Sequence, residues 1–243
     1  MASLIFQSER KRSHQNSTSS NTVAVGFLAL VKSRSKSIVV GVAGGTGAGK
    51  STIVKEILKQ LGKEKVSVIQ HDSYYKNHPE LSFEERTRIN FDHPDSLDTN
   101  LLVEHLNLLI LGKNVEIPVF HHFTKYLRDS STKKIESRPI LIVEGILALN
   151  DQELRDLMNL KVFIDVPPDL RFIRRLKREL SEHGRSVESV TKQYLETIRT
   201  MHDEYVEPSK IYADVFIPEG WGNRRAVNLL VSHLQTLQEK HFS

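Results

Sequence analysis

Residues 44–51 read GGTGAGKS, and the spacing Gly-x-x-x-x-Gly-Lys-Ser is suited to holding a chain of phosphates. Glycines let successive backbone N–H groups curl around phosphate oxygens without Cβ clashes. Lys50 then reaches the β- and γ-phosphates, and the Ser51 hydroxyl ligates Mg²⁺. A helix starting near Lys50 aims its positive end at the anion. The segment Gly44, Gly45, Thr46, Gly47, Ala48, Gly49, Lys50, Ser51 and Thr52 is therefore expected to bind a nucleoside triphosphate. That donor would be ATP, with GTP open as an alternative.

A phosphate loop alone does not say where the phosphate goes. A guanine-reading Asn-Lys-x-Asp is absent, and so is the repeat or helical arm of a motor. A compact kinase of a small metabolite fits the length. Asp72 follows the apolar run KVSVIQ, at the strand end where ligands of parallel sheets gather, and could accept the proton of an attacking hydroxyl. Glu144 closes LIVEG and could hold Mg²⁺ through water. Asp165, in FIDVPPD, is open to two readings: a second Mg²⁺ acid, or the cap of the next helix. That helix carries Arg171, Arg174, Arg175 and Arg178 along one face, with Phe172, Leu176 and Leu180 opposite. Arg185 follows. Such a run is usually a solvated face, but phosphoryl transfer needs cations over the γ-phosphate. Gly184 is a candidate hinge for an arginine-bearing lid.

Other elements must position these groups. SIVVGVA, KVSVIQ, PILIVEG, LKVFIDV and ADVFIP are apolar runs of strand length, as in a sheet buried on both faces. Helical spacing fills the intervals: Ile53, Ile57, Leu58 and Leu61 before Gly62, and Leu101 to Ile110 before Gly112. Further helical patterns cover 151–158, 168–182, 187–204 and 224–239. SFEE (82–85) has the form of a capping box. VEIPVF (115–120) and KKIES (133–137) are expected to pair off the main sheet, since Pro118 does not suit a central strand. The expected fold is a three-layer α/β kinase fold. It has an open parallel sheet, helices on both faces, a small β-hairpin and an Arg-rich helical lid.

The chain has 243 residues and no cysteine, so disulfides and thiolate metal sites are excluded. Residues 1–37 hold six Lys/Arg and one acid, leaving 28 basic and 29 acidic residues beyond them. The folded part is near neutral, against a broad nucleic-acid face. Residues 1–37 are expected to be a disordered basic extension. Their Arg, Ser and scarcity of acids also fit an organelle-targeting segment. VAVGFLALV is too short to span a membrane. A cytoplasmic enzyme without membrane or nucleic-acid partners is expected.

The motifs GGTGAGKST, HDSYY, NFDHPDS, LIVEGILAL, RFIRRLKREL, GRSVESVTKQY and EPSKIYADVFIPEG closely resemble those of the uridine–cytidine kinases, in the same order, from about Ile38 to about Gln238. The resemblance implies a nucleoside kinase domain over 38–240 that phosphorylates the 5′-hydroxyl of uridine or cytidine with MgATP. It implies Asp72 as base and Asp92 as the grip on the ribose 2′- and 3′-hydroxyls. It places Tyr75 in the nucleoside pocket and Arg185 and Gln193 near the sugar. Arg175 and Arg178 fall near the phosphates, Arg175 also reaching the substrate. Such kinases are usually homotetramers. One segment departs from the pattern Tyr-Asp-Phe-x-x-His-x-Arg. In HHFTKYLR (121–128), with Phe123 and Arg128 setting the register, His121 takes the Tyr position and Tyr126 the His position. In the other register Phe120 fills the Tyr position. A phenol in place of an imidazole would tilt base choice toward cytidine. Two alternatives stay open: a kinase of another small alcohol, and a nucleotide-binding regulator without catalysis.

Overall fold

The computed structural model describes residues 37–122 and 124–242. Apart from Ser37, the expected N-terminal extension lies outside the described residues, as does Phe123. Five strands, β1 (Ile38–Ala43), β2 (Val66–Gln70), β5 (Ile140–Glu144), β6 (Leu160–Asp165) and β7 (Val215–Pro218), form one sheet in the order β2–β5–β1–β6–β7. Every neighbouring pair is parallel. β1 and β5 are buried along their whole length, which is why both read as unbroken apolar runs.

Helices α1 (Lys50–Leu61) and α8 (Arg224–Phe242) cover one face. Ile53, Ile57, Val227, Leu230 and Leu234 pack there on Val40, Val42, Ile142, Val162 and Ile164. On the other face Gly41 lies against Met158 and Leu149, just after α4 (Gln152–Asp156). α3 (Thr99–Ile110) packs beside α4 with Leu102, Leu106 and Leu109 fully buried. The capping box forms as expected: Ser82 accepts from the Glu85 backbone, and the Glu85 carboxylate accepts from that of Ser82. The helix it opens, α2 (Phe83–Thr87), is a single short one.

Two elements differ from the sequence expectation. β3 (Val115–His121) does pair antiparallel with a strand off the main sheet, but that partner, β4 (Leu127–Ile135), begins six residues earlier than KKIES. The turn closes with Tyr126 at φ 50°, a left-handed backbone uncommon for a bulky residue. The helix expected over 187–204 is α6 (Val187–Gln193), a π-helical turn (Tyr194–Ile198), α7 (Arg199–Met201) and a second π-helical turn (His202–Val206). Side-chain periodicity does not register such bulges. α5 (Pro168–His183) precedes them and ends at Gly184 in the left-handed region. Among the described residues no helix is long and apolar enough to cross a membrane.

Ile57 is fully buried between α1 and the sheet. Ile57→Ala is expected to lower unfolding free energy by about 2–5 kcal/mol in urea titration. Turnover per folded molecule should stay unchanged.

Candidate active site

The phosphate loop leaves β1 at the centre of the sheet, where strand order reverses, the place open α/β sheets reserve for ligands. Gly44, Gly47 and Gly49 take φ of 141°, 76° and 95°. Close packing adds a second demand for glycine. A Cβ on Gly47 would lie 2.2 Å from the Arg171 carbonyl oxygen, and one on Gly44 would lie 2.6 Å from that of Ile164. Arg171 is buried under the loop, donating from Nε to the Val166 carbonyl at 3.0 Å and from Nη2 to His202 Nε2 at 2.9 Å. Lys50 Nζ donates to the carbonyls of Gly44 (2.9 Å) and Gly45 (3.2 Å). Burial lowers its pKa to about 8, with Asp72 and Glu144 opposing the shift.

Strand register delivers the acids. Val42 pairs with Glu144 and Gln70 with Glu144, so the ends of β1, β5 and β2 lie side by side. Asp72 stands exposed on the 3₁₀ turn His71–Tyr74 that follows β2. A Cβ on Gly145 would come within 2.5 Å of His71 Cβ, so only glycine lets that turn sit against the exit of β5. Arg128 fastens the same turn to the hairpin through the Tyr75 carbonyl (2.8 Å), the Tyr74 carbonyl (3.3 Å) and Asp98 (3.2 Å). Glu144 is 6% exposed, with Oε1 accepting from Gln70 at 3.4 Å. Its Oε2 is buried and without a hydrogen-bond partner among the described residues. Burial raises the Glu144 pKa, while Lys50, Gln70 and the nearby Ser51 hydroxyl pull it down. An orphaned carboxylate oxygen beside a hydroxyl fits a hydrated divalent cation.

A cavity of about 890 Å³ joins these parts. Thr46, Gly47, Lys50 and Ser51 line it with Arg175, Arg178, Arg185 and Gln193; Asp72, Tyr75, Asp92 and Tyr126 line it on the side of the hairpin and the turn after β2. Burial pushes Asp92 up to about 6, with Arg175 and Lys50 pulling down and Asp72 adding to the rise. An aromatic cluster backs this side. Tyr75 meets Phe91, Phe120 and His122 edge-on at 4.9, 5.3 and 5.4 Å, and Phe91 stacks on Tyr126 at 5.7 Å. Arg175 donates to Thr46 Oγ1 (2.9 Å) and Gln193 Oε1 (3.1 Å), tying α5 and α6 to the phosphate loop.

The structure thus gathers most of the expected residues in one place, but not all. His121 does not line the cavity; its Nε2 meets Asp129 Oδ2 at 2.6 Å across the hairpin. His122, the first residue beyond β3 in the turn, is the histidine at the cavity wall. Arg171 serves beneath the loop and not among the lid cations. Asp165 does not cap α5, which has no side-chain cap; its Oδ2 accepts from Lys210 Nζ at 2.7 Å. Sequence reasoning missed His122, Phe91 and Glu179. The last had a signal: it lies one helical turn beyond Arg175, at i+4.

The phosphoribulokinase / uridine kinase family model matches residues 39–225. A uridine kinase of Chloroflexus aggregans is 48% identical over 198 residues, 82% of this chain and 94% of that protein. One from Streptococcus agalactiae is 47% identical over 197 residues, 81% of this chain and 94% of that one. One from Streptococcus gordonii is 44% identical over 204 residues, covering 84% and 97%. The phosphoribulokinase of Rhodobacter spheroides superposes with TM-score 0.57 at 16% identity, over 75% of this chain and 70% of its own, a likeness of fold.

An anion bound over Lys50 favours its ammonium form, so triphosphate binding near pH 8–9 should draw a proton from solution. Calorimetry with ATP in buffers of different ionisation enthalpy is expected to show net uptake, with affinity falling above about pH 8. Uptake unchanged in Lys50→Met would contradict the assignment.

Proposed function

The chain belongs to the phosphoribulokinase / uridine kinase family, and on that premise we propose that it transfers the γ-phosphoryl group of ATP to the 5′-hydroxyl of uridine. The observation that carries this reading is the single cavity shared by the phosphate loop, Asp72 and Asp92. Three relatives named uridine kinase, 44–48% identical along nearly their whole length, support the acceptor.

In this reading the triphosphate lies along Gly44–Thr52, with Lys50 on its β- and γ-phosphates. Asp72 takes the proton of the 5′-hydroxyl as that oxygen attacks the γ-phosphorus and the bond to the β-bridging oxygen breaks. Arg175 and Arg178 meet the charge on the transferred group. Asp92 accepts from both ribose hydroxyls, so a deoxyribose leaves a buried acceptor underused. Tyr75 and Tyr126 with Phe91 offer rings to the base, and Arg185 and Gln193 border the sugar. Ser51 and Glu144 are the residues to hold Mg²⁺, which when bound neutralises charge on the phosphate oxygens.

Cytidine belongs in the same pocket. Tyr126, its ring stacked on Phe91, stands where the kinases this chain resembles carry an imidazole that offers two tautomers. This favours cytidine over uridine. A homotetramer is part of the proposal, and Ile211, Leu229 and Leu195, at 77%, 72% and 58% exposure, offer apolar surface for it.

An assay of ADP release with uridine, cytidine and their 2′-deoxy forms tests the reading. Asp72→Asn is expected to lower kcat by about 10²–10⁴-fold; near-normal kcat would exclude it as the base. Since Asp92 accepts best when ionised and titrates at about 6, KM for uridine should rise as pH falls through that value, and the dependence should flatten in Asp92→Asn. Tyr126→His is expected to shift the cytidine-to-uridine ratio of kcat/KM toward uridine, and an unchanged ratio removes the base preference.

A further inference from the structure

α5 buries unusual residues for an amphipathic helix. Its buried side chains are Arg171 and Glu179, while Leu170, Ile173 and Leu180 are exposed. Arg171 has its place beneath the phosphate loop. Glu179 has no part in the mechanism above, yet its side chain is 1% exposed at the edge of the cavity.

Glu179 Oε1 accepts from Arg178 Nη2 at 2.9 Å, and Oε2 accepts from Arg185 Nη1 at 3.3 Å. Arg185 Nη1 also donates to Gln193 Oε1 at 2.7 Å, the oxygen that receives Arg175 Nη2. Arg175 in turn reaches Thr46 of the phosphate loop. One network therefore runs from Glu179 through three arginines and a glutamine to the triphosphate end of the cavity.

Three guanidinium groups facing one cavity repel each other, and each long side chain has many rotamers to lose. A carboxylate shared between two of them offsets the repulsion and restricts both. Each arginine has five donors, so the bond to Glu179 leaves others for phosphate oxygens. Burial alone would raise the Glu179 pKa, but the hydrogen bond from Arg178, the charges of Arg175 and Arg178 and the bond from Arg185 outweigh it and hold it below its usual value.

We propose that Glu179 is the positioning residue of the arginine cluster, holding Arg178 directly, and Arg175 through Arg185 and Gln193, in place before the triphosphate arrives. This rests on the reading of the cavity as a triphosphate and nucleoside site. Cations fixed in advance act where charge develops and need no reorganisation during transfer. The effect of Glu179 therefore falls on kcat more than on KM for uridine.

The test is steady-state kinetics with uridine and saturating MgATP for wild type, Glu179→Gln, Glu179→Asp, Arg178→Gln and the Glu179→Gln/Arg178→Gln double variant. Glu179→Gln is expected to lower kcat by about 10- to 100-fold with KM for uridine within about threefold. Glu179→Asp should restore most of the loss, and Glu179→Gln should cost clearly less when Arg178 is already Gln. A folded Glu179→Gln enzyme with wild-type kcat, or an equal loss in both backgrounds, overturns the proposal. Should Glu179→Gln not fold, the side-chain Nε–Hε resonances of Arg178 and Arg185 in nucleotide-free wild type decide. Ordered signals uphold the proposal, and mobile ones overturn it. Wild-type protein that transfers nothing to uridine would remove the proposed function, while the resonances would still report on Glu179.

Discussion

Positive charge is crowded at the carboxyl edge of β1, and the rest of the site is arranged to make that crowding tolerable. Lys50, Arg171, Arg175, Arg178 and Arg185 approach one glycine loop or the cavity beside it. Each is tied down: Lys50 by two loop carbonyls, Arg171 by a carbonyl and a histidine, Arg175 by Thr46 and Gln193, Arg178 and Arg185 by Glu179. Desolvated cations are costly, and the lowered pKa of Lys50 is one expression of that cost. A bound polyanion would offset it, as the proposed triphosphate site requires.

The acceptor side is built differently. There the rings of Tyr75, Phe91 and Tyr126 mix with polar groups, among them Asp72, Asp92, Arg88, Asn90 and His122. The hairpin brings β3 and β4 over the turn that carries Asp72, and Arg128 locks the two together. Changing the hairpin turn therefore reaches the aromatic cluster and the turn that carries Asp72 at once. The register of β2 on β5 and the absence of a side chain on Gly145 bring Asp72 and Glu144 to one edge. Asp72 and Glu144 thus owe their closeness to backbone pairing and not to any contact of their own.

Much of this was legible in residue order. Apolar runs of six or seven residues between helical patterns gave the parallel sheet, and GGTGAGKS between strand and helix gave the phosphate loop. Asp72 and Glu144 were singled out because they follow apolar runs, and the structure sets both at the carboxyl edge of the sheet. The misses share a physical cause. His121 ends β3 while His122 already belongs to the turn, a boundary that the residue pattern does not mark. The role of Arg171 depends on a contact with a loop more than a hundred residues earlier in the chain, which no local pattern encodes. The arginines of α5 were read as cations for a phosphate, but Glu179 beside them was passed over, because amphipathic reasoning assumes that a buried neighbour is apolar. Here the neighbour is a polar cavity, and Glu179 is buried against arginines.

The arrangement has one geometric requirement, that the alcohol, its proton acceptor and the triphosphate lie along a line. The most direct measurement is a crystal structure with uridine, Mg²⁺ and a non-hydrolysable ATP analogue. The expected result places an Asp72 carboxylate oxygen within about 3.2 Å of the 5′-oxygen, with that oxygen in line with the γ-phosphorus over Lys50. A 5′-oxygen remote from Asp72, or a triphosphate bound away from residues 44–52, would contradict it.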